Sequence, residues 1–192
     1  MKSNKYCVIM AGGTGTRFWP LSTKQKPKQF LDILGTGRTL LQQTFDRMVR
    51  VCPAENVYIV TNEIYKDIVS EQLPELGKHQ ILLEPDKKNT APCIAYANYK
   101  IDKINPDANI VVCPSDHLIL KEDDFVRVIE EGMEFTAQED ALLTLGIKPH
   151  RPETGYGYIQ RNNKDEITQD TNIFKVKTFT EKPNYELAKK FF

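Results

Sequence analysis

The sequence predicts an α/β fold built on a mostly parallel, doubly wound sheet, and two observations carry that prediction. Short runs rich in Val, Ile and Leu recur along the chain, with amphipathic helical stretches between them. The unusual residue combinations then fall in the segments that directly follow those runs.

The runs are residues 6–10, 57–61, 80–83, 109–113 and 141–145, and each reads as a strand buried on both faces. Residues 39–51 place Leu41, Phe45 and Met48 on one side of a helix. Over 90–104, Ile94, Ala97, Ile101 and Ile104 recur at helical spacing, with Thr90 expected to cap and Pro92 in the first turn. A further helix is predicted over 123–136. Beyond Tyr156, segments 156–161 and 174–180 alternate like more exposed, antiparallel strands. In parallel sheets of this kind, ligands bind at the carboxyl ends of the strands. No internal repeat or interdomain linker interrupts the 192 residues, which suffice for one sizeable domain.

Charge narrows the function. Lys and Arg number 26 and Asp and Glu 26, so no global field favours nucleic acid or a membrane surface. Any anionic partner must meet a local cluster of bases. Cys7, Cys52, Cys93 and Cys113 lie far apart without a C-x-x-C pair, which reads as buried reduced thiols. The apolar run at 6–10 is too short for a signal sequence or membrane span, so a cytoplasmic protein is expected.

The first strand runs into Ala11-Gly12-Gly13-Thr14-Gly15-Thr16-Arg17. Such glycines let backbone approach a phosphate and turn N–H groups toward it, although a tight strand-to-loop turn would use them equally. Neither the dinucleotide fingerprint nor the Walker loop fits, because Thr16-Arg17-Phe18 follows Gly15. From Gly12 to Leu31, however, stand Arg17, Lys24, Lys26 and Lys28 without one acid. That imbalance suits a polyanion, with Arg17 able to grip phosphate oxygens through two bonds.

The glycine segment, its continuation Phe18-Trp19-Pro20-Leu21-Ser22, and Lys26-Pro27-Lys28-Gln29-Phe30 together resemble the signature of mannose-1-phosphate guanylyltransferases. The Gly-Gly-x-Gly-Thr-Arg core is shared with the wider sugar nucleotidyltransferase superfamily. The resemblance implies a Rossmann-like nucleotidyltransferase fold, a nucleotide-phosphate loop over Ala11, Gly12, Gly13, Gly15 and Thr16, and catalytic contacts from Arg17 and Lys28.

Further motifs extend it. Glu84-Pro85 and Asn89-Thr90-Ala91-Pro92 read as a strand end and a helix start, and they resemble the family's guanine-reading element. The run at 109–113 ends in Pro114-Ser115-Asp116-His117. A carboxylate there is placed either to hold Mg²⁺ or to cap a turn. The resemblance assigns the metal, and a catalytic role, to Asp116 and leaves His117 secondary. Near the end, Gly155-Tyr156-Gly157-Tyr158 and Thr180-Glu181-Lys182-Pro183 resemble the sugar-binding elements, which implies Gly157, Glu181 and Lys182 as sugar contacts.

The resemblance thus implies GTP and mannose 1-phosphate as substrates, GDP-mannose and pyrophosphate as products, and Mg²⁺ as cofactor. A relative using another base or sugar, or a non-catalytic sugar-nucleotide sensor, would carry similar motifs. Family catalytic domains continue past this length, through a second metal-binding aspartate, whereas this chain stops at Phe191-Phe192 in a helix opened by Asn184. The chain therefore reads as the N-terminal portion of that domain, with an incomplete sheet edge that invites a homodimer.

Overall fold

The computed structural model describes residues 3–13, 18–86, 88–166 and 173–192, with the backbone alone at 163–166. It contains two compact units, Met1–Asp140 and Ala141–Phe192.

The first unit is built on strands β1 (Lys5–Met10), β2 (Val57–Thr61), β3 (Ile81–Leu83) and β4 (Asn109–Pro114). All pair in parallel, in the order β3-β2-β1-β4. Helices α1 (Leu40–Met48), α2 (Lys66–Gln72), α3 (Thr90–Asp102) and α4 (Glu122–Gln138) join them. Successive side chains of a strand face opposite sides of its sheet, so a strand buried on both must be apolar throughout. β1 shows this directly. Cys7 and Ile9 enter a core with Leu41, Phe45 and Met48 of α1 and Val126, Ile129 and Met133 of α4. Tyr6 and Val8 enter a second core with Cys93, Ala97 and Ile101 of α3. The sheet is therefore covered on both faces, as doubly wound folds require.

Local bonds fix the start of α1. The Thr39 hydroxyl accepts from the Gln42 N–H at 3.3 Å while the Gln42 side chain accepts from the Thr39 N–H at 2.9 Å, a capping box worth about 1 kcal/mol. Cys7, Cys52 and Cys93 are buried free thiols, and Cys113 is a half-buried one. Among the described residues no helix is long and apolar enough to cross a membrane.

Three expectations change. The run at 141–145 forms no strand; Leu142, Leu143 and Leu145 are exposed there. Apolarity marks a segment for burial but does not supply the neighbouring backbone that a ladder needs, and among the described residues β4 is the outermost strand on its side of the sheet. Thr90 is not the cap of α3 but its first residue. Asn89 precedes it at φ 68° and makes no side-chain cap bond. Helix α2 was not anticipated, being only 7 residues long with Val69 as its one buried side chain.

In the second unit, β5 (Tyr158–Glu166) pairs antiparallel with β6 (Phe174–Thr180), as the alternation predicts. Helix α5 (Tyr185–Phe191) follows, with Asn184 as its cap accepting from the Leu187 N–H at 2.9 Å. Tyr158 and Phe191 rings meet at 5.3 Å, joining the helix to the hairpin.

Candidate active site

The carboxyl ends of the first unit's four strands bring the motifs together. Beyond β1, the Ala11 N–H donates to the Val60 carbonyl at 2.8 Å, and the Ser115 N–H donates to the Met10 carbonyl at 3.1 Å. Beyond β3, the Glu84 N–H donates to the Thr61 carbonyl at 2.8 Å. These bonds extend each ladder by one step and seat Ala11, Glu84 and Ser115 on one rim.

The glycine segment continues from that rim. A methyl group at Gly12 would stand 3.2 Å from Glu84 Oε2, tighter than most side-chain contacts, so glycine lets the loop and the carboxylate lie side by side. Glu84 also acts through its charge on the Cys93 thiol in the first turn of α3. Burial, and then the Glu84 charge, push that thiol up to about 12. Through Glu84 the loop and the exposed Asn89-Thr90-Ala91 helix start thus become neighbours. Gly15, Thr16 and Arg17 lie outside the described residues.

The basic segment returns at a short turn, Lys28–Phe30, whose residues divide by chemistry. Phe30 is buried against Tyr65, with ring centroids 5.4 Å apart. Gln29 is buried too, and its side-chain amide donates to the Ala11 and Gly13 carbonyls. Lys28 points the other way, its Nζ 2.6 Å from Asp116 Oδ2 and 5.7 Å from the centre of the Phe18 ring. Their side chains retain 23% and 25% exposure, so both stay open to a ligand. Lys24 and Lys26 are exposed, and the Tyr65 hydroxyl donates to the Lys24 carbonyl at 2.8 Å. His117 is exposed beside Asp116.

Within the second unit, Gly157, Glu181 and Lys182 also meet. A methyl group at Gly157 would come within 2.5 Å of Phe179 Cζ and 2.9 Å of Glu181 Oε2. Lys182, at φ 40°, pairs its ammonium with the Glu181 carboxylate. The Tyr158 hydroxyl accepts from the Glu153 N–H at 2.8 Å. The Glu153 carboxylate accepts from the Thr154 and Gly155 N–H groups, which hold its pKa down.

Sequence reading quotes Phe18, Gln29 and Ser115 within motifs without giving them a role of their own, and takes Thr61 only as the end of a strand. Thr61 left a trace, as the one polar residue closing an otherwise apolar run, and its hydroxyl donates to the Ala11 carbonyl at 3.1 Å. Gln29 stands inside a quoted motif but gives no sign of its own role, since its neighbours' charge and aromaticity dominate that motif.

The chain is 42% identical over 194 residues to a mannose-1-phosphate guanylyltransferase of Escherichia coli K12, covering 99% of this chain and 40% of that protein. It is 39% identical over 186 residues to a putative mannose-1-phosphate guanylyltransferase of Vibrio cholerae, covering 96% and 39%. The chain thus spans about two fifths of the length of these curated relatives. Among solved structures, a protein named as a mannose-1-phosphate geranyltransferase from Thermus thermophilus superposes with TM-score 0.83 at 29% identity, over 98% of this chain and 53% of that one. A mannose-6-phosphate isomerase from Helicobacter pylori superposes with TM-score 0.75 at 28% identity, over 97% and 64%. The nucleotidyl transferase family model matches residues 6–192, from the first strand through the glycine loop and the Lys28–Asp116 pair to the last helix. The chain belongs to the nucleotidyl transferase family.

Proposed function

We propose that this chain carries the catalytic residues for transferring GMP from GTP to mannose 1-phosphate, giving GDP-mannose and pyrophosphate. The observation that carries the reading is the Lys28–Asp116 pair at a parallel-sheet rim, in a chain so similar to proteins of that name.

The chemistry needs little covalent help. An oxygen of the sugar phosphate, already anionic, attacks the α-phosphorus of GTP, and pyrophosphate leaves from the opposite side. No general base is required. Positioning and charge stabilisation do the catalysis. Lys28 meets charge developing on the phosphates, and Arg17 carries the same expectation from its place in the motif. Ala11, Gly12 and Gly13 hold the nucleotide phosphates, joined by Gly15 and Thr16, while Glu84 and Asn89–Ala91 read guanine. Gly157, Glu181 and Lys182 hold the sugar.

Asp116 would hold Mg²⁺. Among the described residues no group of three or more His, Cys, Asp or Glu side chains could hold a metal ion. One part-exposed carboxylate fits an ion that keeps several waters and takes substrate phosphates as ligands, which Mg²⁺ does. When bound, the ion supplies charge neutralisation on the phosphates. Among the described residues β4 forms an edge of its sheet, which supports the expected homodimer, and light scattering would register that as a doubled mass.

The test is pyrophosphate release, measured as initial rates with GTP, UTP and dTTP against several sugar 1-phosphates. Fastest turnover with GTP and mannose 1-phosphate supports the reading, and a different best pair replaces it.

A further inference from the structure

We infer that Gln29 is a positioning residue for nucleotide binding, acting through the backbone of the glycine loop and touching no substrate itself. The inference rests on the proposed reading of that loop as the phosphate site.

Gln29 is 2% exposed, and a buried amide must find partners or lose stability. It finds them in the loop. Nε2 donates to the Ala11 carbonyl at 3.1 Å and to the Gly13 carbonyl at 2.8 Å, which uses both of its N–H groups. The Thr61 hydroxyl supplies a third bond, again to the Ala11 carbonyl. Three donors from two distant segments thus converge on two carbonyls of one short stretch.

The consequence follows from peptide geometry. In a trans peptide the carbonyl oxygen and the next N–H point in opposite directions. Drawing the Ala11 carbonyl inward to Gln29 and Thr61 therefore turns the Gly12 N–H outward. Glycine backbone rotates easily, and a flipped peptide would offer a carbonyl oxygen where a phosphate needs a donor. The Gln29 amide withdraws those oxygens from the anion and holds the N–H outward before nucleotide arrives. Such preorganisation shows as affinity, because ordering the loop no longer opposes binding.

The test uses Gln29→Met, which keeps length and burial but cannot donate, alongside Thr61→Val, which removes only one of the three bonds. GTP dissociation constants come from calorimetry, and amide hydrogen exchange at Gly12 and at Val60 comes from nuclear magnetic resonance. Gln29→Met should weaken GTP binding roughly 30-fold, and Thr61→Val roughly five-fold. In both variants Gly12 exchange, fast in the parent because its N–H points outward, should slow as flipped peptides turn that N–H inward, while Val60 exchange holds, which general loosening would not produce. If Gln29→Met fails to fold, the Thr61→Val measurements decide alone. GTP affinity within about two-fold of the parent in a folded variant, or Gly12 exchange that speeds up together with Val60 exchange, would overturn the assignment. A parent chain that binds no nucleoside triphosphate at all would instead defeat the reading of the loop.

Discussion

Lys28 Nζ lies 2.6 Å from Asp116 Oδ2, so the ammonium assigned to phosphate and the carboxylate assigned to metal neutralise each other in the free chain. A ligand that draws either group away releases the other. Nucleotide and metal binding should therefore favour one another, and by linkage the effect is reciprocal.

Lys28→Ala should act in opposite directions on two measurements. Mn²⁺ affinity without nucleotide, read by electron paramagnetic resonance, should rise about five-fold or more, since Asp116 loses its competitor. Turnover in steady-state kinetics should fall roughly 10²–10³-fold, by about 3–4 kcal/mol, if the same charge stabilises the transition state as proposed. A turnover loss below about five-fold would remove the catalytic role, and unchanged Mn²⁺ affinity would remove the coupling.

Guanine recognition can be measured apart from catalysis. With Glu84 beside Gly12 and its charge felt by Cys93 at the start of α3, a site matched to guanine leaves polar groups unpaired when a pyrimidine enters. Calorimetry with Mg²⁺ present should show GTP binding about ten-fold or more tightly than UTP or dTTP. Equal affinities would refute guanine specificity and leave the fold standing.

Gly157→Ala tests the second unit. The added methyl group would overlap Phe179 and press on the Glu181 carboxylate, so both must shift. Phe179 and Glu181 are exposed and have room to move, which limits the stability loss to about 1 kcal/mol. The KM for mannose 1-phosphate should nevertheless rise about ten-fold, with the KM for GTP unchanged, because the displaced groups are those assigned to the sugar. Initial-rate kinetics with one substrate varied at a time would check this, and equal changes in both KM values would contradict it.

Alkaline pH should weaken the fold through its thiols. Burial, then the Glu84 charge, raise Cys93 to about 12, and burial with the nearby Cys113 and Cys52 thiols raises Cys7. A raised pKa means that the unfolded chain loses its proton first. The stability these thiols contribute is complete below the unfolded value and is lost as pH climbs toward the folded one. Urea midpoints should therefore fall between about pH 9 and pH 12, and Cys93→Ala should flatten that fall. An identical alkaline slope in parent and variant would count against it.

Much of this protein is legible in its sequence because the information is local. Apolar runs marked four parallel strands nearly to the residue, and Asn184 announced a helix start through a bond to backbone three residues away. Lys28, Asp116 and Glu84 stood out as charge placed just beyond, or returning to, strand ends. The tertiary structure decided the rest. Residues 141–145 carry a strand's composition yet form none, because pairing depends on a neighbour that composition does not specify. Gln29 and Ala11 are 18 residues apart in the chain, and Thr61 stands 50 residues beyond Ala11. The bonds joining them exist only once β1 and β2 lie side by side. Sequence named the groups that carry charge. Packing chose the neutral groups that aim them, because a buried amide has no signature until the carbonyls it must satisfy arrive beside it.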